Sequence, residues 1–163
     1  MKEWADSPQP EDARGGQVLF FTVARQTFGM QLTRVAQIID HEEPSGRSKV
    51  SRQVILPRGE TIKAVDLRSL FKYPRVSEGS KRTIIILEGD RGKIGLVADS
   101  IEHIAEAENI QMVGLPAILG EMKYLEGFFL EGKSLKAAIN SERIAADFGK
   151  VRELKGKAEK TPK

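Results

Sequence analysis

Cysteine is absent from the 163 residues, which rules out both a disulfide framework and a thiolate metal site. That absence suits a reducing compartment. No apolar run approaches the roughly 20 residues a membrane-spanning helix needs. Met1–Arg14 is acidic and proline-bearing, without the apolar centre of a secretion signal. The expectation is a soluble, cytoplasmic protein with no direct membrane insertion. Aromatic residues make up only 6% of the chain, with one tryptophan, so the basic-and-aromatic stripe that tracks a nucleic-acid backbone is missing. The pI of about 9.2 comes mostly from the end of the chain: residues 150–163 carry a net +4, leaving the remainder at −1. A lysine-rich terminus of this kind is ordinarily a solvated tail. Nucleic acid is therefore not an expected partner.

What is present is a chain that is 40% hydrophobic and 30% charged, long enough to bury a core as one medium domain or two small lobes. Its organising feature is an internal echo. Val54–Phe71 runs through an apolar segment, a glycine turn at Gly59, a second apolar segment and Asp66. Phe128–Ala145 repeats this with Gly132 and Asn140. In each copy the glycine permits a backbone conformation costly for other residues, so the flanking β-rich runs fold back as a hairpin. Asp66 and Asn140 then stand where a helix N-cap would, before short stretches with apolar residues at helical spacing.

Between these landmarks the pattern predicts strands over Gln17–Ala24, Phe28–Leu32, Val50–Leu56, Glu60–Val65, Arg82–Glu88, Lys93–Ala98, Tyr124–Leu130 and Ser134–Ile139. Thr33 is expected to cap a helical segment bearing Val35, Ile38 and Ile39. His41–Lys49 and Lys72–Lys81 read as loops, Asn109–Gly120 as mostly loop, and Ile101–Ala107 as strand or helix. A terminal helix is expected from Ser141 to about Glu153. Many short strands with few helices predict a mainly β fold built of small barrels, not a parallel βαβ sheet. The boundaries are a flexible N-terminal segment at 1–15, a folded region at 16–149 and a basic C-terminal tail at 150–163.

One catalytic pattern matches by letter: Gly127–Ser134 fits G-x-x-x-x-G-K-[ST], in which Lys133 would reach phosphates and Ser134 would hold magnesium. Its bulky centre, Phe128, Phe129 and Leu130, suits a buried strand, and the 29 residues that follow leave no room for the strands of a nucleotide-binding domain. The hairpin is the preferred reading and nucleotide binding the alternative. His41 and His103 lack partners at ligand spacing and read as surface or edge residues. Asp99 could pair with Glu102, or cap a turn. No catalytic, metal or cofactor residues are assigned.

Arg58-Gly59, Val65-Asp66-Leu67-Arg68, Gly95-Leu-Val-Ala-Asp99, Tyr124-Leu-Glu-Gly127 and Asn140 before the last helix occur in the order and spacing of a known family. From about Gln17 to Phe148 the chain resembles the CheW-like adaptor domain of bacterial chemosensory systems. The resemblance implies two SH3-like, five-stranded β-barrels and no catalytic activity. It implies an adaptor coupling the cytoplasmic tip of methyl-accepting chemoreceptors to the regulatory domain of a CheA-type histidine kinase, in arrays attached to the membrane through the receptors. The positions matching the family's receptor contacts are Leu32, Val35, Gln37, Ile38, Arg58, Ile84 and Ile104, in a groove between barrels; kinase contacts are not assigned. The chain departs from the family pattern at Gln53, Leu56, Pro57 and Lys63, which also admits a CheW-like scaffold with a different helical partner.

Overall fold

Most strands of this chain fold back on their sequence neighbours, and the computed structural model describes the result for residues 16–45, 49–89, 92–116 and 122–149. The N-terminal segment and basic tail expected at 1–15 and 150–163 lie outside the described residues. The chain divides into two units, the first containing 16–35 and 99–141 and the second 36–98 and 142–149 of the described residues.

The second unit is a five-stranded sheet formed by β3 (Val35–Glu42), β4 (Ser51–Ile55), β5 (Thr61–Asp66), β6 (Lys81–Gly89) and β7 (Gly92–Ala98), in the order β3-β6-β7-β5-β4. The first is six-stranded: β1 (Gln17–Val23), β2 (Gln26–Gln31), β8 (Ser100–Glu106), β9 (Ile110–Gly114), β10 (Leu125–Glu131) and β11 (Ser134–Ile139), in the order β8-β1-β2-β11-β10-β9. Setting β9 aside, the two orders coincide, with β8 in place of β3, the β1–β2 hairpin in place of β6–β7, and β10–β11 in place of β4–β5. In each unit one parallel contact joins the two hairpins, β5 to β7 and β11 to β2. The units thus share one topology, entered by the chain at different points.

The echo seen in the sequence is this shared hairpin. Val54↔Ile62 and Leu130↔Leu135 are antiparallel partners, and Gly59 and Gly132 hold the turns at φ +94° and +62°, where a side chain would strain the backbone. A one-turn helix follows each hairpin, α1 (Leu67–Leu70) and α2 (Ser141–Ile144). Asp66 caps α1 as expected, accepting from the Arg68 backbone N–H at 3.0 Å. Asn140 immediately precedes α2, and its backbone N–H donates to the Tyr124 carbonyl at 2.8 Å.

A second repeat was not legible in the sequence. Gly29 of β2 lies between Phe20 and Ala138, and Gly95 of β7 between Ile86 and Ala64. A Cβ on Gly29 would stand 2.8 Å from both Phe129 and Phe20, and one on Gly95 2.8 Å from Ile84. Each glycine lets the side chains of the neighbouring strands meet over the middle of its barrel. The cores beneath are Val18, Phe20, Met112, Phe129 and Ala138 in the first unit, and Leu56, Ile62, Ala64, Ile84, Ile86 and Val97 in the second.

Three expectations are corrected. Residues 32–34 form a 3-10 turn without a side-chain cap from Gln31, and the chain then enters β3 instead of a helix, because the β-branched residues Val35, Ile38 and Ile39 pair beside β6. Residues 110–114 form β9, adding a sixth strand where a loop was read: Met112 pairs with Phe129 and is buried, so the contact is long-range and invisible to local pattern. The last helix has one α-turn and then widens into a π-helical segment, Ala145–Gly149.

Candidate functional site

The inner faces of the second unit's strands are apolar until they reach one end. There four strands place a charged or titratable residue at the same alternating parity: Arg82 before Ile84 and Ile86, Asp66 after Ile62 and Ala64, Arg52 before Val54 and Leu56, and His41 after Ile39. Glu43, just beyond β3, completes the group; its backbone is fixed by hydrogen bonds with Ser80 and Gly79.

Arg82 is the hub. Its side chain is 1% exposed; Nη1 donates to Glu43 Oε1 at 3.0 Å and Asp66 Oδ2 at 3.2 Å, and Nη2 to Asp66 Oδ1 at 3.3 Å. Arg52 donates to Asp66 and Glu43 at 3.4 Å each, and its Nη2 lies 3.2 Å from His41 Nε2. Two guanidinium groups thus face two carboxylates, closing the barrel end without net charge while His41 is neutral. Burial, and then the adjacent Arg52, lowers the His41 pKa from its ordinary 6.5. Beside the plug an open cleft of about 570 Å³ is lined by Asp40, His41, Glu42, Lys81 and Arg82.

The first unit carries its own polar cluster. Lys136 Nζ donates to Glu131 Oε1 at 2.8 Å and sits 4.6 Å from the centre of the Phe20 ring. His103 Nε2 is 3.0 Å from Glu131 Oε1, and its ring stacks on Phe20 at 4.9 Å. The hydrogen bond from Lys136 is the largest influence lowering the Glu131 pKa, and His103 acts in the same direction. Both histidines, read from the sequence as surface or edge residues, are therefore half-buried members of ionic networks. The missed signal was parity: a charged residue in step with the inward apolar positions of its own strand.

Asp99 holds a turn. Its Oδ2 accepts from the Ala24 backbone N–H at 2.8 Å, bracing the β1–β2 turn where Ala24 and Arg25 stand at φ 52° and 71°.

Gly127–Ser134 is not a phosphate cradle. Residues 127–131 lie in β10 with ladder partners on both β9 and β11, and Ser134 opens a strand, not a helix. Gly127 sits at a bulge at φ +148°, where a Cβ would strike the Val113 carbonyl oxygen. Phe129 is buried, while Lys133 and Ser134 are exposed on the turn. The backbone of residues 127–131 is engaged in the sheet, so the segment is a strand and hairpin turn rather than a phosphate-binding loop.

Of the positions matched to partner contacts, Leu32, Val35 and Ile104 belong to the first unit and Gln37, Ile38 and Arg58 to the second. Leu32 and Val35 are half-buried; Gln37, Ile38 and Arg58 are exposed, as is Ile104, at 47%. Arg58 occupies the β4–β5 turn, where Gly59 N–H donates back to the Leu56 carbonyl at 2.8 Å and sets the tip. Ile84 is corrected: it is fully buried among Leu56, Ile62, Ala64, Ile86 and Val97, a core residue with no surface to offer. Conversely, Ile55, three residues before Arg58, is 72% exposed and was not singled out by pattern. It pairs with Thr61 on the outward face of the hairpin, so its parity, opposite to Val54 and Leu56, was the available clue.

The family description "CheW-like domain" matches residues 17–149. Among solved structures, the crystal structure of scaffolding protein TtCheW from Thermoanaerobacter tengcongensis is similar with a TM-score of 0.61 and 18% identity, covering 77% of this chain and 88% of that one. None of the curated proteins compared matches the sequence.

Proposed function

The chain belongs to the CheW-like domain family, and from that membership we propose that it is a non-catalytic chemosensory adaptor, joining the helical tip of a chemoreceptor to the regulatory domain of a CheA-type histidine kinase. The observation that carries the reading is the family match across residues 17–149. No helix among the described residues is long and apolar enough to cross a membrane, so attachment to a receptor array would come through partners.

Exposed Arg58 on a glycine-set turn, with exposed Gln37 and Ile38 on β3 of the same unit, supports the receptor-facing role; in the first unit Ile104 is exposed, and Leu32 and Val35 are half-buried. An amphipathic receptor helix supplies what such residues recognise: apolar groups to bury against isoleucine and a carboxylate to meet the guanidinium.

The test is calorimetry of the whole chain against a receptor-tip hairpin fragment and, separately, against a kinase regulatory domain. Arg58→Ala is expected to weaken receptor binding by about 2–5 kcal/mol if its charge pair is shielded from water, to leave kinase binding unchanged, and to leave the melting temperature unchanged. Unaltered receptor affinity would remove Arg58 from the interface, and failure of the wild type to bind either partner would overturn the adaptor reading.

A further inference from the structure

β3 and β4 are the end strands of the second unit's sheet, so no shared ladder joins them in the strand order β3-β6-β7-β5-β4. Side chains meet across that seam. Ile39 and Val54 pack against the same core, and Arg52 of β4 reaches His41 of β3 and Glu43 just beyond it. The second guanidinium arm of Arg52 is anchored to Asp66, at the end of β5. Arg52 is therefore a strut from the β5 end of the barrel to its β3 side, and one of its ends rests on an imidazole.

Arginine has only hydrogen-bond donors, so the 3.2 Å contact between Arg52 Nη2 and His41 Nε2 requires a lone pair on Nε2. The ring must be neutral, with its proton on Nδ1. We propose that this contact is a proton-operated latch on the seam of the second barrel: protonation of His41 turns its acceptor into a donor, breaks its contact with Arg52 Nη2 and loosens β3 from β4, while Glu43 and Asp66 continue to hold the guanidinium. The proton comes from hydronium in solvent: its O–H bond breaks, leaving water, as an N–H bond forms on Nε2.

The surroundings determine the sign. Facing His41 are Arg52 from β4 and Arg82 from β6, which oppose a third positive charge, and Glu43 and Asp66, which favour it; each carboxylate is already engaged by both arginines. Asp40, Glu42 and Lys81 line the cleft that opens onto the ring and gives protons access. Burial and Arg52 are the two largest influences, and both lower the pKa of His41 from 6.5. Because the folded chain holds the neutral ring more firmly than the unfolded chain does, the seam is intact above that pH. It weakens as pH falls below about 6.5 toward the lower folded value. Gln37 and Ile38 lie on the strand so loosened, giving the latch a route to whatever β3 contacts.

The experiment uses the full chain. The His41 imidazole is titrated by NMR, and amide hydrogen exchange is measured at about pH 7.5 and about pH 5.5, corrected for intrinsic rates. Protection of β3 and β4 amides is expected to drop severalfold at the lower pH, while β10 and β11 stay unchanged. His41→Gln, whose carbonyl accepts from Arg52 at every pH, should abolish the drop; His103→Gln should retain it. An equal drop in His41→Gln, no drop in the wild type, or a His41 midpoint at or above the ordinary value would overturn the proposal. Should His41→Gln fail to fold, the wild-type titration and exchange decide the matter.

Discussion

Replacing Arg82 with methionine tests whether the ionic plug holds the second barrel closed. Methionine approximates the volume of the arginine stem, so the loss is mainly of charge and hydrogen bonds. Three donor contacts of 3.0, 3.2 and 3.3 Å to Glu43 and Asp66 vanish. Both carboxylates are at least 97% buried; each keeps Arg52, at 3.4 Å, and Asp66 also keeps the Arg68 backbone N–H at 3.0 Å. Removing one partner of a buried ion pair costs about 3–5 kcal/mol, because the remaining charge is stranded away from water. Arg52 continues to serve both carboxylates, which places the expected loss near the lower end, about 3 kcal/mol. For a chain of this length each kcal/mol corresponds to roughly 2–4 °C, so the melting temperature should fall by about 6–12 °C. Arg82→Lys should give a smaller loss, since an ammonium keeps a charge but cannot span the two oxygens of Asp66 in a planar fork. Urea denaturation followed by circular dichroism measures both, with the midpoint shifting and the slope unchanged. A loss below about 1 kcal/mol for Arg82→Met would show that the cluster adds nothing beyond a hydrophobic filling of the same shape.

Two further outcomes follow from packing. Phe129→Ala should destabilise by about 3–5 kcal/mol, whereas Lys133→Ala on the neighbouring turn should change stability by about 0.5 kcal/mol or less; similar losses in the two melts would contradict the assignment of Gly127–Ser134 to a hairpin. Gly95→Ala must push a Cβ against Ile84 at 2.8 Å and Ile62 at 3.3 Å, so a cost of about 1–3 kcal/mol is expected. Gly114→Ala, with nothing within 4 Å of the added carbon, serves as its control in the same denaturation assay, and equal effects would refute the close-packing argument.

Local chemistry alone determined a good part of this protein. Alternating or continuous apolar runs separated by glycine turns gave β1, β2, β4, β5, β6, β7, β10 and β11 close to their observed limits, since a strand signal and a turn residue are both properties of a few neighbouring positions. The Gly59 and Gly132 turns, the Asp66 cap and the equivalence of the two hairpins were legible for the same reason, as were the family's motifs around Arg58, Asp99 and Gly127. Tertiary structure alone decided whatever depends on residues distant in sequence. β3 and β9 exist because β6 and β10 offer them an edge, and that pairing overrides helical spacing at Val35–Ile39 and loop-like composition after Asn109. Ile84 and Ile104 look alike in sequence, yet one is sealed in a core and the other faces outward, because burial is set by what the fold stacks against each face. Arg52, Arg82, Glu43, Asp66 and His41 come from separate stretches of chain, and only closure of the barrel brings them within hydrogen-bonding reach, turning scattered polar residues into one buried, charge-balanced plug.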